Sequence, residues 1–337
     1  MSTATLDRVL AVLIGAQLLT GLLSLRAGSP PTAPLFVAHG LLGGALGLAI
    51  VLKVRRSVPR AVAARRWGAI ALSLVLLLAT TAALAGGFIW VASGRILTLG
   101  PWTVLTLHVL AALVLVPILA AHLLPRRWRV LRPPPRRISR NGANGLVSRR
   151  AALSVGALAV AGLAGWFAGN ALDTLSGGLR RFTGSRWLPS GGVPPPTTFF
   201  GEGAADIDPL AWRLAVRGRV GRQLDLSLAD LAALGEVERE AVLDCTSGWA
   251  LRTSWRGVPL GAVLDAAGLH ERAARVVVRS VSGWYAELPV DEARGAMLAT
   301  SVAGRPLPQG NGAPCRLVVP DRRGLEWVKW VARIEVR

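Results

Sequence analysis

Five stretches of this 337-residue chain, 9–25, 35–52, 67–92, 102–124 and 151–172, are apolar throughout and contain no Asp, Glu, Lys or Arg. Each is near the ~20 residues that a helix needs to cross a hydrocarbon layer. Inside such a layer every backbone N–H and C=O must find its partner within the segment, so runs of this length are restricted to helices. The first expectation is therefore an all-α membrane bundle of five transmembrane helices, followed by one long soluble-looking segment.

The formal net charge of +20 raises nucleic acid as a partner, and its distribution excludes it. Residues 1–178 hold eighteen Lys and Arg against only Asp7 and Asp173, and these charges lie between the apolar runs. From residue 179 onward twenty-one basic residues face seventeen acidic ones, an ordinary balance that leaves no broad basic footprint.

The same charges orient the bundle. The loop after the second run carries Lys53, Arg55, Arg56, Arg60, Arg65 and Arg66, and nine arginines lie between Arg126 and Arg150. Excess Lys and Arg mark cytoplasmic loops. The amino terminus is thus expected inside, and the fifth run delivers residues 179–337 outside. The predicted organisation is a four-helix transmembrane domain over 1–125, a basic cytoplasmic linker over 126–150, a fifth helix over 151–178 and an extracytoplasmic domain over 179–337. The linker is also rich in Pro, Gly and Asn, which suits a flexible connection.

Ser148-Arg149-Arg150-Ala151-Ala152-Leu153 opens the fifth run and resembles a twin-arginine export signal, with paired arginines ahead of a weakly hydrophobic Gly- and Ala-rich stretch. Such signals export proteins already folded around a cofactor. The positive-inside tendency alone also places arginines there, so both explanations stand.

Histidines within membrane runs are functional suspects. His39 and His108 lie near the starts of the second and fourth runs, which travel in the same direction, so both rings come to similar depth near the outer surface. That pair suits axial ligation of one haem b iron. The alternative is that each ring hydrogen-bonds a neighbouring helix. His122 follows His108 by fourteen residues, about 21 Å of helix on one face. Lys53 occupies the matching position on the second run, so a second bis-histidine haem is not expected. In topology the first four runs resemble small b-type membrane cytochromes.

The soluble segment alternates β-like runs with amphipathic stretches, and strands are expected at 212–220, 274–281, 285–288, 315–319 and 331–336. Helical spacing marks 226–234 and 260–267. This predicts an α+β domain of about 150 residues, large enough for its own core. Cys245 lies in Leu243-Asp244-Cys245-Thr246-Ser247-Gly248-Trp249, where a thiolate ahead of a small-residue loop can give a metal cofactor one soft ligand. A buried structural cysteine is the other reading. Cys315, in an apolar run, reads as buried and inert. No catalytic Ser-His-Asp set, phosphate-binding loop or zinc spacing occurs.

Six short motifs, in order, carry a family resemblance. They are Trp212-Arg213-Leu214; Leu243-Asp244-Cys245 with Trp249; Trp255-Arg256-Gly257-Val258-Pro259-Leu260; Gly304-Arg305-Pro306-Leu307-Pro308; Gly312-Ala313-Pro314-Cys315-Arg316-Leu317; and Gly324-Leu325-Glu326-Trp327-Val328-Lys329-Trp330. Together they resemble the molybdopterin-binding domain of the sulfite oxidase family, which includes bacterial periplasmic protein-methionine sulfoxide reductases. The resemblance implies an α+β domain of sulfite oxidase type with mixed sheets and a molybdenum-molybdopterin cofactor. It implies Cys245 as the protein thiolate on molybdenum, and Arg316 and Lys329 as cations at the metal pocket and pterin phosphate. Arg323, Asn311, Gly312, Ser247, Gly248 and Trp249 are implied as further cofactor contacts.

The departures from the family pattern bear on substrate. Asn311 stands where histidine is usual, and Trp284 where tyrosine is usual, with Tyr285 displaced by one residue, so a phenolic donor beside the metal is in doubt although Trp284 and Tyr285 remain the catalytic candidates there. The sites where sulfite oxidases carry substrate arginines read Trp249-Ala250-Leu251 and Phe199-Phe200-Gly201-Glu202, leaving Arg316 and a substitute in Arg252. A desolvated dianion needs paired cations, so a neutral sulfoxide fits better than sulfite. The expected function is a membrane-anchored oxidoreductase performing oxygen-atom transfer on a small or protein-bound substrate and exchanging electrons with a quinone or a cytochrome. The alternative is an extracytoplasmic sensor or an electron carrier with a catalytically inactive domain of this fold.

Overall fold

A computed structural model describes residues 3–65, 67–124, 149–197 and 206–337. The chain divides into two compact units, one formed by Met1–Ser24 and Pro31–Gly184, the other by Leu25–Pro30 and Ser185–Arg337.

The first unit is helical: α1 (Thr3–Ser24), α2 (Ala33–Ala63), α3 (Trp67–Ala92), α4 (Val104–Leu123) and α5 (Arg149–Leu175). All five are long and apolar enough to cross a membrane. α2 packs on α1 and α5, and α3 packs on α4 and α5. Small residues allow the tightest approach: a Cβ added at Gly44 would stand 2.7 Å from the Ala161 carbonyl oxygen, and one at Gly162 would stand 2.5 Å from that of Leu41. Close backbone approach through glycine is a recurrent way to join helices where no hydrophobic drive operates between them.

α2 corrects one expectation. Lys53, Arg55, Arg56 and Arg60 were expected in a loop, whereas the helix continues through them and through Pro59 to Ala63. Lys and Arg are good helix formers, and their stems lie along apolar surface while the heads reach water. Lys53 also forms an ion pair with Asp7 of α1, which gives this polar turn a partner on its neighbour. Between α3 and α4 the short strands β1 (Thr98–Leu99) and β2 (Trp102–Thr103) make a tight turn, and Thr103 caps α4 by accepting a 3.1 Å hydrogen bond from the Thr106 amide.

The second unit contains two mixed sheets. The six-stranded sheet comprises β3 (Arg186–Trp187), β6 (Val237–Asp244), β7 (Trp249–Pro259), β10 (Met297–Val302), β11 (Arg305–Pro306) and β12 (Arg316–Val318). β7 lies at its centre, antiparallel to β6 and β10 and parallel to β3. The five-stranded sheet is ordered β5 (Leu224–Leu226), β4 (Leu214–Gly218), β13 (Val331–Val336), β8 (Arg275–Ser280) and β9 (Tyr285–Pro289), with β4 and β13 parallel. Among the described residues this unit also carries the short α-helices α6 (Leu228–Ala233), α7 (Leu260–Ala267) and α8 (Val290–Gly295). α7 buries Leu260, Val263, Leu264 and Ala267 on one face, the helical spacing anticipated for 260–267.

Strands β4, β8 and β12 fall within the anticipated runs, trimmed at their ends, β9 extends one residue beyond its run to Pro289, and β13 coincides with its run. The β6–β7 hairpin and β10 were not anticipated. β6 opens on exposed Val237-Glu238-Arg239-Glu240, and β7 mixes buried Trp249, Thr253, Trp255 and Gly257 with exposed Arg252 and Arg256, so neither presents a clean apolar alternation.

Candidate functional site

Cys245 stands at the tip of the β6–β7 hairpin. Its amide donates to the Trp249 carbonyl oxygen at 2.8 Å, and its own carbonyl accepts from the Gly248 amide at 2.9 Å. Gly248 adopts φ +104°, a left-handed conformation that glycine takes without steric cost. The Cys245 side chain is 8% exposed, and its Sγ lies 2.8 Å from the Ser247 hydroxyl. Trp249 begins β7 and is buried. β3 lies against this turn, with the Arg186 amide donating to the Gly248 carbonyl at 2.8 Å.

Behind the turn is a buried polar group that the sequence did not disclose. The Ser185 hydroxyl donates to Asp244 Oδ1 at 2.6 Å, and Arg323 Nη2 donates to the Cys245 carbonyl at 3.0 Å and to Ser185 Oγ at 3.1 Å. The Arg323 and Asp244 side chains form an ion pair at 3.3 Å with only 4% and 0% of their surface exposed. Arg323, expected at a pterin phosphate, has among its partners the residues that flank the Cys245 turn. The only sequence signal was the adjacency of Asp244 to Cys245, since Ser185 is remote along the chain.

A second cluster gathers four other predicted residues. The Asn311 amide donates to the Pro194 carbonyl at 2.9 Å, and Arg316 Nη1 donates to the Asn311 carbonyl at 2.9 Å. Lys329 Nζ donates to the Thr197 carbonyl and lies 5.2 Å from the Trp330 ring centroid. Gly312, at φ +107°, leaves room for Lys329: a Cβ there would stand 2.9 Å from Lys329 Cα. The guanidinium of Arg316 is caged by Trp255 and Trp327, 5.6 and 5.9 Å from their ring centroids, while the two indoles meet edge to face at 5.4 Å. Aromatic faces stabilise a desolvated cation of this kind.

One segment, 322–330, joins the two clusters. Arg323 and Gly324 pack on the Cys245 turn, a Cβ at Gly324 standing 3.4 Å from Cys245 Cα. Trp327 meets Arg316, and Lys329 meets Gly312. Trp284 reaches the same segment by donating its indole N–H to the Leu325 carbonyl at 3.0 Å. Tyr285 is not brought in: it is 53% exposed and its ring lies 4.9 Å from the Arg279 guanidinium. Successive residues of a strand point to opposite faces, and here Ala286 takes the buried face. Arg252 is exposed on β7, and residues 199–202 lie outside the described residues, as do Ser148 and most of the 126–150 linker.

In the first unit, the His39 and His108 rings face each other at 6.1 Å between centroids and 86° between planes. His39 Nδ1 lies 2.9 Å from the Thr20 hydroxyl of α1, and His108 Nδ1 lies 2.7 Å from the Ala83 carbonyl of α3. A carbonyl only accepts, so His108 carries its proton on Nδ1 in the neutral form. Each ring thus both meets a neighbouring helix and faces the other histidine.

Residues 202–337 match the family described as the oxidoreductase molybdopterin binding domain. The chain is 31% identical over 157 residues to the uncharacterized oxidoreductase YuiH of Bacillus subtilis, covering 43% of this chain and 79% of that protein. The chain belongs to the molybdopterin-binding oxidoreductase family. It is also 37% identical over 141 residues to the protein-methionine-sulfoxide reductase catalytic subunit MsrP of Xanthomonas campestris pv. campestris, covering 36% of this chain and 44% of that protein. The corresponding subunit of Gluconobacter oxydans is 32% identical over 164 residues, 41% of this chain and 53% of its own length. The chain therefore spans about half the length of these reductase subunits. Among solved structures, the sulfane dehydrogenase SoxCD of Paracoccus pantotrophus aligns over 40% of each chain with 26% identity and a TM-score of 0.38. In this family context the motifs at Cys245, Arg316 and Lys329 fall within the matched residues.

Proposed function

We propose that the chain is a membrane-anchored molybdenum-cofactor oxidoreductase that transfers an oxygen atom to or from a sulfoxide-type substrate outside the cytoplasm. The observation that carries this reading is the Cys245 thiol at a hairpin tip, joined through segment 322–330 to a cluster of buried cationic and amide side chains. The residues fit the cofactor in their donor chemistry. Cys245 offers molybdenum a soft sulfur, while Arg316, Lys329 and Asn311 offer N–H donors to an anionic pterin phosphate. Bound there, the cofactor supplies two-electron oxygen-atom exchange.

The chain's own residues do the rest. Asn311 and Gly312 hold Arg316 and Lys329 in register through backbone contacts. The Trp255 and Trp327 rings keep water from the Arg316 guanidinium, which strengthens its pull on an anion. Trp284, 37% exposed with its N–H committed to Leu325, is suited to wall the approach to Cys245 and has no proton to give. Tyr285 is left out of the reacting group because its ring is turned to Arg279. With Arg316 assigned to the pterin side, Arg323 paired with Asp244 and Arg252 exposed on β7, the pocket makes a poor host for a dianion such as sulfite and a better one for a neutral sulfoxide. The name of the reductase relatives supports the same choice.

For electron exchange we assign one haem b to His39 and His108. Their Nδ1 atoms lie against Thr20 and Ala83, which leaves the Nε2 lone pair of each ring to offer to iron, the arrangement by which outer partners orient imidazole ligands. A quinone or a cytochrome is the membrane partner, the twin-arginine route exports the second unit, and the five helices anchor it with the amino terminus in the cytoplasm. The test is molybdenum and pterin analysis of detergent-purified protein beside Cys245→Ser, with a visible spectrum and a sulfoxide-reduction assay on the same samples. Molybdenum and pterin in the parent, lost activity in the variant and a haem spectrum are expected. A parent free of molybdenum and pterin excludes the enzyme and favours the sensor.

A further inference from the structure

We propose that Ser185, Asp244 and Arg323 form a charge-neutral clamp that holds the Cys245 turn and sets the potential of the metal bound by its thiolate. The proposal rests on the reading of Cys245 as the metal ligand. All three residues of the clamp are buried, and Asp244 and Arg323 also face each other across a parallel β-bridge. Asp244 accepts from the Ser185 hydroxyl at 2.6 Å and pairs with Arg323 Nη2 at 3.3 Å. The same nitrogen donates to the Cys245 carbonyl at 3.0 Å.

A buried ion pair contributes little net stability, because desolvating the two charges offsets most of their attraction. Its consequence here is positional and electrostatic. The Cys245 amide is committed to Trp249 and its carbonyl to Gly248 and Arg323, so the backbone that carries the sulfur has both polar groups fixed. The two charges lie beside Cys245, in surroundings where low dielectric magnifies the effect of either one alone. As a pair they nearly cancel. Asp244→Asn would leave the Arg323 cation uncompensated and favour the reduced, more negative metal. Arg323→Gln would leave the Asp244 anion and favour the oxidised metal. Arg323 is thus a positioning residue acting through the Cys245 turn, a role distinct from the phosphate contact anticipated for it.

The experiment uses the full-length, cofactor-loaded protein in detergent, with metal and pterin content, Mo(V) EPR and a redox titration on each variant. Asp244→Asn is expected to raise the Mo(V)/Mo(IV) potential and Arg323→Gln to lower it, each displacing the one-electron equilibrium about tenfold, or about 59 mV. The double variant is expected to return to the native potential. Where a single variant leaves a buried charge too costly to fold, Arg323→Lys serves: it keeps the charge but loses the planar fork, so a native potential with altered EPR g-values is expected. Loaded single variants with unchanged potentials, or shifts of the same sign, overturn the clamp, as does a native EPR signal in Arg323→Lys. Loss of pterin in Arg323→Gln alongside a native potential in Asp244→Asn overturns it in favour of a phosphate contact. A native protein without molybdenum would instead remove the reading of Cys245 on which the clamp rests.

Discussion

At the scale of single residues, the two cysteines differ in surroundings rather than in chemistry. Both are free thiols, yet Cys315, just before β12, is fully buried, and burial alone pushes its thiol well above the ordinary range. Because the folded pKa is raised, this proton favours the folded state up to the ordinary thiol range. That contribution declines at higher pH as the unfolded chain ionises. In cofactor-free protein at pH 8, iodoacetamide is expected to label Cys245 and spare Cys315 in mass spectrometry of native samples. Rapid labelling of Cys315 without unfolding would contradict its placement. Gly312 makes a second residue-scale case. Its φ of +107° and the 2.9 Å approach to Lys329 Cα leave no room for a side chain. Gly312→Ala is expected to destabilise the domain by about 1–3 kcal/mol in denaturant melts and to lower pterin content.

At the scale of elements, the hairpin of β6 and β7 does most to build the site, since it sets the Cys245 turn against β3 and against segment 322–330. The 260–267 helix and the last strand were legible because their apolar spacing is regular. The hairpin was not, because its central strand buries Thr253 and Gly257 among exposed arginines. α6 shows local sequence acting alone. Ser227 and Asp230 form a reciprocal capping box, and the Ser227 hydroxyl and amide hold the Asp230 carboxyl below the usual carboxylate range. With a depressed folded pKa, this contribution is present above the ordinary carboxylate range and is lost as pH falls through the folded value. Ser227→Ala is therefore expected to lower the melting temperature at neutral pH, with the difference shrinking in acid. An equal difference at all pH values would show that the carboxylate has no part in the cap.

For the molecule as a whole, five helices long and apolar enough to cross a membrane form one unit and two mixed sheets form the other. The helices expose many large apolar side chains, among them Val12, Leu78, Leu153 and Phe167. So much exposed apolar surface is costly in water and suited to lipid. The protein is expected to stay in the membrane pellet after alkaline carbonate extraction and to be released only by detergent; release by carbonate would sink the anchoring.

The sequence alone determined the five apolar helices, because each is written as one contiguous uncharged run about as long as a membrane-crossing helix needs to be. It also determined the family, because Cys245, Arg316 and Lys329 sit in contiguous motifs. What those motifs touch was decided only in three dimensions. Arg323 turns to Asp244, Ser185 comes from 59 residues before that aspartate to complete the group, and Tyr285 faces away from it. The paired histidines, by contrast, were anticipated from their matching places on two apolar runs, and their ring centroids stand 6.1 Å apart. Side-chain partners such as those of Arg323 depend on how separate strands and helices pack, and contacts between residues distant in sequence leave no local pattern in it.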